Sequence, residues 1–177
     1  AANRFISDLR NDCGLIGERG HRIYGFIHQT LEEYLAAKGL CYLSDTDTEP
    51  ILAEMLNNQM LARDIWRETA LLTVGHLSVI QRVPGRAAQL VEKFLRVELT
   101  GDARGLNVVR AGEALRDVGL KGVNDAAWKA TLTALQATMV DPTLLSATRR
   151  DAGIALGELG WLPEDLDAMV PVPAGRF

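Results

Sequence analysis

One pattern returns three times along this chain. Ala70-Leu71-x-x-Val74-Gly75 recurs as Ala114-Leu115-x-x-Val118-Gly119 and as Ala155-Leu156-x-x-Leu159-Gly160, at spacings of 44 and 41 residues. The last two copies also share a small pair upstream, Ala111-Gly112 and Ala152-Gly153. A period of about 40 residues with helical patterning describes units too small to bury a core alone, so each must stack on its neighbours. Within each copy the small residues let helices approach closely and the Leu and Val fill the shared core. The closing Gly is expected to end its helix in a left-handed cap.

Helical spacing of apolar residues predicts helices over Ile51–Leu61, Ile65–Val79, Gly85–Leu99, Asn107–Val118, Asp125–Val140 and Thr143–Leu159. "RVPGR" at 82–86 and "LTGDARG" at 99–105 are breaks. "DPTLL" at 141–145 predicts a sharp helix start, with Asp141 as cap and Pro142 at the first helical position. "SDTDTEP" at 44–50 is a polar linker that also supplies a start, with Thr48 or Glu49 before Pro50.

The first forty residues are mixed. Phe5, Ile6 and Leu9 share one face of a short helix. "CGLIGERGHRIYGFIH" suggests a hairpin, with Leu15–Ile16 and Ile23–Ile27 as strands and "GERGH" as the turn, Gly20 being free to take positive φ. Ile23, Gly25 and Ile27 would then face one side, with Tyr24, Phe26 and His28 on the other. Thr30 followed by Glu33 fits a capping box for the next helix. In that helix Ile27, Leu31, Tyr34 and Leu35 recur at helical spacing.

The chain has 177 residues, room for one domain or two small ones, and is 47% hydrophobic and 24% charged. A net charge of −4 argues against nonspecific binding to nucleic acid or acidic lipid. No apolar run is long enough to cross a bilayer, and the start carries no signal-peptide pattern. Cys13 and Cys41 have no metal-ligand spacing and read as reduced packing thiols of a cytoplasmic protein. The chain begins "AANRF" and stops at "PAGRF", so it is expected to be a piece of something longer.

The usual catalytic constellations do not occur in the sequence. There is no GxxxxGK[ST] phosphate loop and no GxSxG elbow, and His21, His28 and His76 do not fall at HExxH spacing. Glu32–Glu33 reads as part of a helix cap, whereas Asp45–Asp47 and Glu164–Asp165–Asp167 read as solvated linker charge. Arg149–Arg150, beside Asp151, reads as surface. Trp66, Trp128 and Trp161 sit in or beside apolar helical faces and are expected in the core. Arg82, Arg86, Lys93 and Arg96 could form a local basic patch on a nucleic-acid-binding or modifying relative. No enzyme activity, metal or cofactor is expected of these residues themselves.

Two stretches carry a family resemblance. "GLIGERGHRIYGFIHQTLEEYLAAKGL", Gly14 to Leu40, resembles the end of the winged-helix domain of NACHT-type STAND NTPases, relatives of the NOD-like receptors. The matching motif is Phe26, Ile27, His28, Thr30, Glu33, Tyr34, Ala36 and Ala37, with Leu31 where Phe is usual and Glu32 where Gln is usual. The resemblance implies that His28 reaches the phosphates of a bound nucleotide in the full-length protein. Local physics agrees, because an imidazole just ahead of a helix start lies near free N–H groups and the positive end of the dipole. "MVPVPAGRF", Met169 to Phe177, resembles the opening strand of a formylglycine-generating-enzyme-like domain, a C-type-lectin-like fold used for ligand sensing. The repeat between them is similar to HEAT-type helical arms, and "RRDAGIALGELG" to the short HEAT-like repeats of phycobilin lyases.

The expectation is therefore a mainly α chain. The end of a winged helix with a small β-hairpin would occupy 1–43, a linker 44–50 and a HEAT-like α-solenoid of about three helical repeats 51–168. The start of a sensor domain would occupy 169–177. The implied role is that of a regulatory or scaffolding arm in a bacterial signalling ATPase, with a passive spacer as the simpler alternative. Its partners would be the neighbouring NTPase and sensor domains and a protein effector, with no membrane and no nucleic acid. ATP or ADP with Mg would belong to the parent's NTPase core.

Overall fold

The computed structural model describes residues 15–21 and 23–164, together with Gly175. The expected short helix at Phe5–Leu9, Cys13, and the sensor-like stretch at 169–177 apart from Gly175 lie outside the described residues.

The described chain is mainly helical with one two-stranded antiparallel sheet. Strand β1 spans Ile16–Gly20 and β2 spans Ile23–Phe26. Ile16 pairs with Phe26, Gly17 with Gly25 and Glu18 with Tyr24, and an irregularity follows before Gly20 pairs with Ile23. The hairpin was expected, but the "GERG" residues belong to the first strand rather than to the turn. Gly20 does not adopt a positive φ, because the irregularity after Glu18 takes up the local bend and twist. Arg19 lies across Gly25, where a Cβ would sit 2.6 Å from its Nε. Its guanidinium donates to the Phe26 carbonyl at 2.8 Å.

Seven α-helices follow among the described residues: α1 Gln29–Cys41, α2 Glu49–Asn57, α3 Arg67–Gly75, α4 Pro84–Arg96, α5 Leu106–Val118, α6 Asp125–Val140 and α7 Ser146–Glu158. A 3-10 turn, Asp64–Trp66, leads into α3, and a wide π turn, His76–Ile80, extends it. In that turn the Gln81 amide reaches back five residues to the His76 carbonyl at 2.9 Å.

Two helix starts differ from expectation. His28, not Thr30, is the residue ahead of α1, and no side chain caps that helix; Glu33 instead accepts a bond from Gln29 at 2.8 Å. Thr30 already lies inside the first turn, so its hydroxyl is past the position from which it could cap. Asp141 accepts from the amide and hydroxyl of Thr143 at 2.8 and 2.7 Å. That turn does not propagate, because Leu145 takes an extended ψ of 141° and α7 begins only at Ser146. By contrast, Thr48 does precede α2, with Asp47 accepting the Glu49 amide at 2.9 Å.

The three copies of the repeated pattern fall on α3, α5 and α7. These helices lie in one row with α1, each packed on the next, while α4 and α6 pack on one another and on α5. Ala70, Leu71, Val74, Ala114, Leu115, Ala155 and Leu156 are all buried. The expected left-handed glycine end holds at two copies, Gly119 with φ 67° and Gly160 with φ 80°. It fails at Gly75, which keeps a helical φ of −58° because the helix runs on through the π turn. There the sharp break passes to Arg82, with φ 57°.

One apolar cluster runs from Leu40 and Cys41 on α1 through Ile51, Leu77, Leu90 and Phe94 to Leu115 and Ala127, so packing is continuous across residues 44–50. A second cluster joins Val109, Leu135, Ala152, Ala155 and Leu156. The three tryptophans, expected in the core, are partly buried and pack against the outside of these clusters. Side chains also pin helix ends and turns to one another. Asn107 donates to the Phe94 carbonyl at 2.9 Å, Arg149 to the Met139 carbonyl at 3.1 Å, and Ser78 to the Gly122 carbonyl at 2.8 Å. Each satisfies a carbonyl at or near the end of a turn of helix.

At Gly112 on α5 the neighbouring helices come close. A Cβ there would lie 2.9 Å from Leu135 Cδ1 and 3.2 Å from Ala155 Cβ. Gly112→Val should therefore destabilise the fold by about 1–3 kcal/mol through overpacking, exceeding the gain in helix propensity. Gly157→Ala on α7, where nothing lies within 4 Å of the added carbon, should stabilise by about 0.5–1 kcal/mol. Urea unfolding of both variants checks the pair; equal shifts would contradict the packing described.

Candidate functional site

The hairpin delivers its strand directly to α1, and His28 stands at that join. Its backbone is extended, with φ −114° and ψ 122°, and its carbonyl accepts the Leu31 and Glu32 amides at 3.1 and 3.3 Å. The amides of Gln29 and Thr30 have no acceptor among the described residues. The imidazole is exposed. An exposed imidazole beside two open amides at a positive helix end can meet an anion. Glu32, in the same first turn, partly offsets that field.

The structure does not bring the three histidines together. His21 is exposed at the hairpin turn, whereas His76 is buried at 5% exposure in the π turn. The His76 ring meets Tyr34 of α1 edge-on, with centroids 6.0 Å apart, and its Nδ1 has no partner among the described residues. Burial, with a smaller push from Lys38, holds its pKa below the ordinary 6.5. Among the described residues no group of His, Cys, Asp and Glu could hold a metal ion. Cys41 is buried and free, its thiol pushed up by burial to about 11, which keeps it protonated and unreactive at neutral pH.

Several of the remaining candidates have structural partners. Asp47 is held below the usual carboxylate range, first by the Glu49 amide and also by Lys93. Lys93 reaches Glu49 at 2.6 Å and Asp47 at 3.7 Å, while Arg86 donates to the Ser44 carbonyl at 2.6 Å. Half of the four-residue basic patch is thus engaged in fastening the 44–50 segment to α4. Arg149 is tied to Met139, and Arg150 is exposed and paired with Asp151 at 2.7 Å. Glu164 is exposed, and Asp165 and Asp167 lie outside the described residues.

Two features were not singled out from the sequence. One is a depression of about 570 Å³ between Arg19 and Phe26 of the hairpin, Glu32, Glu33 and Ala36 of α1, and Ile65 and Trp66 ahead of α3. His28 does not line it. The other is the ion-pair chain on one side of the helix row. Arg67 of α3 reaches Glu113 of α5 at 2.7 Å, and Arg110 of α5 joins Glu113 at 3.0 Å and Asp64 at 2.6 Å. Alternating Arg and Glu at a 46-residue separation was a signal in principle, but it needs the helix register to be known first.

No protein-family model, no curated protein and no solved structure matches the chain. No helix among the described residues is long and apolar enough to cross a membrane.

His76 generates a pH prediction. Its folded pKa is depressed, so above pH 6.5 neither state binds the proton and the group is neutral toward stability. Below 6.5 the unfolded chain takes up a proton that the folded one refuses, and stability falls with falling pH until the folded value is passed. His76→Gln should flatten the fall just below pH 6.5 in urea titrations compared with the unsubstituted chain. An unchanged slope would show that His76 is not held neutral by burial.

Proposed function

We propose that this chain is the regulatory and scaffolding arm of a STAND-type signalling NTPase. It would couple a C-terminal ligand-sensing domain to a nucleotide switch through contacts between domains. The observation that carries the reading is the join at His28, where a hairpin strand runs directly into a helix and leaves an exposed imidazole beside two open amides. That donor set suits a phosphate. The mainly helical remainder supports a HEAT-like arm. Three copies of one pattern sit at matching places in a row of stacked helices, with α4 and α6 as a second row.

In this reading His28 contacts the phosphate of a nucleotide held by the neighbouring NTPase domain, and ATP or ADP with Mg belongs to that domain. The chain's own residues supply a positive helix end and two apolar clusters that meet at α5, through which a displacement at one end would reach the other. Nucleic-acid binding or modification is less favoured, because Arg86 and Lys93 already serve the 44–50 segment.

Two measurements test the proposal. By calorimetry the 177-residue chain should be folded and helical yet neither bind ADP·Mg nor turn over ATP; turnover would overturn the reading. In a chain that includes the NTPase domain, His28→Ala should speed ADP release by about tenfold, the loss of one charge-assisted phosphate contact. Unchanged release, with signalling and autoinhibition unaffected by removing residues 51–168, would leave a passive spacer instead.

A further inference from the structure

The depression beside the hairpin does not end at α1's first turns. A second one, of about 350 Å³, lies between the later part of α1, the end of α2 and Met60. Ala36 and Trp66 line both, so the two adjoin along α1 and are taken together as one groove. Its α1 wall runs from Gln29 through Glu33 and Ala36 to Leu40, and Leu43 lines it just past the helix end. From Gln29 to Leu40 the steps are three and four residues, one face of one helix, and at 1.5 Å per residue they span about 16 Å.

Three properties of the groove point to its occupant. The α1 wall is low where the halves meet, because Ala36 is small and nothing lies within 4 Å of where a Gly39 Cβ would be. A second backbone can therefore come close. The sides are apolar and exposed, with Ile65 at 64%, Ile27 at 52% and Leu43 at 48%. Large apolar side chains gathered along one trough, rather than scattered, mark a contact surface. The charge is one-sided, since Glu32, Glu33 and Glu54 line the walls. The one lining cation among the described residues is Arg19, whose guanidinium donates to the Phe26 carbonyl, so three carboxylates face one cation. Glu32 has no ion-pair partner among the described residues. At the floor, the hydroxyl of Thr69 is buried without a hydrogen-bond partner among the described residues.

We propose that this groove binds a basic amphipathic α-helix of a partner protein, about 14 residues long, enough to cover that face and reach Leu43 beyond it. Leu-type side chains at i, i+3, i+4 and i+7 would pack over Ala36, Gly39 and Trp66, while Lys or Arg on the flanks meet Glu32 and Glu54. The inference goes beyond the nucleotide-switch reading, because His28 lines neither half of the groove and binding here requires no nucleotide domain.

The test uses fluorescence anisotropy with a labelled Leu/Lys amphipathic peptide of about 14 residues and its Leu/Glu counterpart. Binding of the Leu/Lys peptide is expected, with the Leu/Glu peptide at least about tenfold weaker. Gly39→Met fills the trough without altering charge and, as a helix-interior glycine replacement, keeps or raises the melting temperature. It should weaken binding about tenfold or more, as should the double variant Glu32→Lys with Glu54→Lys. No binding, equal binding of both peptides, or full binding by Gly39→Met would each overturn the proposal. So would self-association of the chain that Gly39→Met abolishes in sedimentation, because the occupant would then be a second copy.

Discussion

The close approach at Gly112 is the constraint on which the rest of the structure depends. Helix α5 touches α3, α4, α6 and α7, and it can serve all four only if its side chains there are small. Gly112 leaves room for Leu135 and Ala155, and Ala111 and Ala114 are fully buried. Once the backbones are this near, polar groups at the helix ends come within reach of one another. The bonds from Asn107, Arg149 and Ser78 then satisfy carbonyls that would otherwise be stranded in an apolar interior. The Arg67–Glu113–Arg110–Asp64 chain forms on the same condition, since Arg67 and Glu113 lie on different helices.

Much of this was legible in the sequence because period and packing coincide. The Ala-Leu pattern fixed which faces are buried on α3, α5 and α7, and α6 has the bounds its periodicity predicts. The end signals were less dependable. Thr30 and Asp141 are good capping residues by type, yet a cap acts only where the flanking backbone turns from extended to helical. That point was set by the strand running into His28 and by the extended Leu145. Gly75 failed as a stop for a related reason. Glycine permits a left-handed conformation but does not require it.

The site divides along the same line. His28 was singled out by its motif, and the structure leaves it exposed at a helix start. The groove along α1 was not singled out, because its walls come from the hairpin, α1, α2 and the 3-10 turn, and no local pattern joins these. In the sequence Ala36 and Gly39 read as ordinary helix filling. Only the absence of a neighbour over Gly39 gives them another meaning. The basic patch shows the converse, a sequence cluster whose charges are taken up by a neighbouring loop.

The wide turn at His76–Ile80 bears on what lengths of chain this architecture accepts. Its amide-to-carbonyl closure spans one residue more than an α-turn, so the helix carries a surplus residue at that place. A single deletion there can be absorbed by tightening the loop to the ordinary ladder, leaving the downstream register nearly intact. The same deletion in α5 would swing Gly112 about 100° away from Ala155 and set larger side chains against the neighbouring helix. Length variation should thus be borne at the junction of α3 with α4 and refused at the centre of the stack.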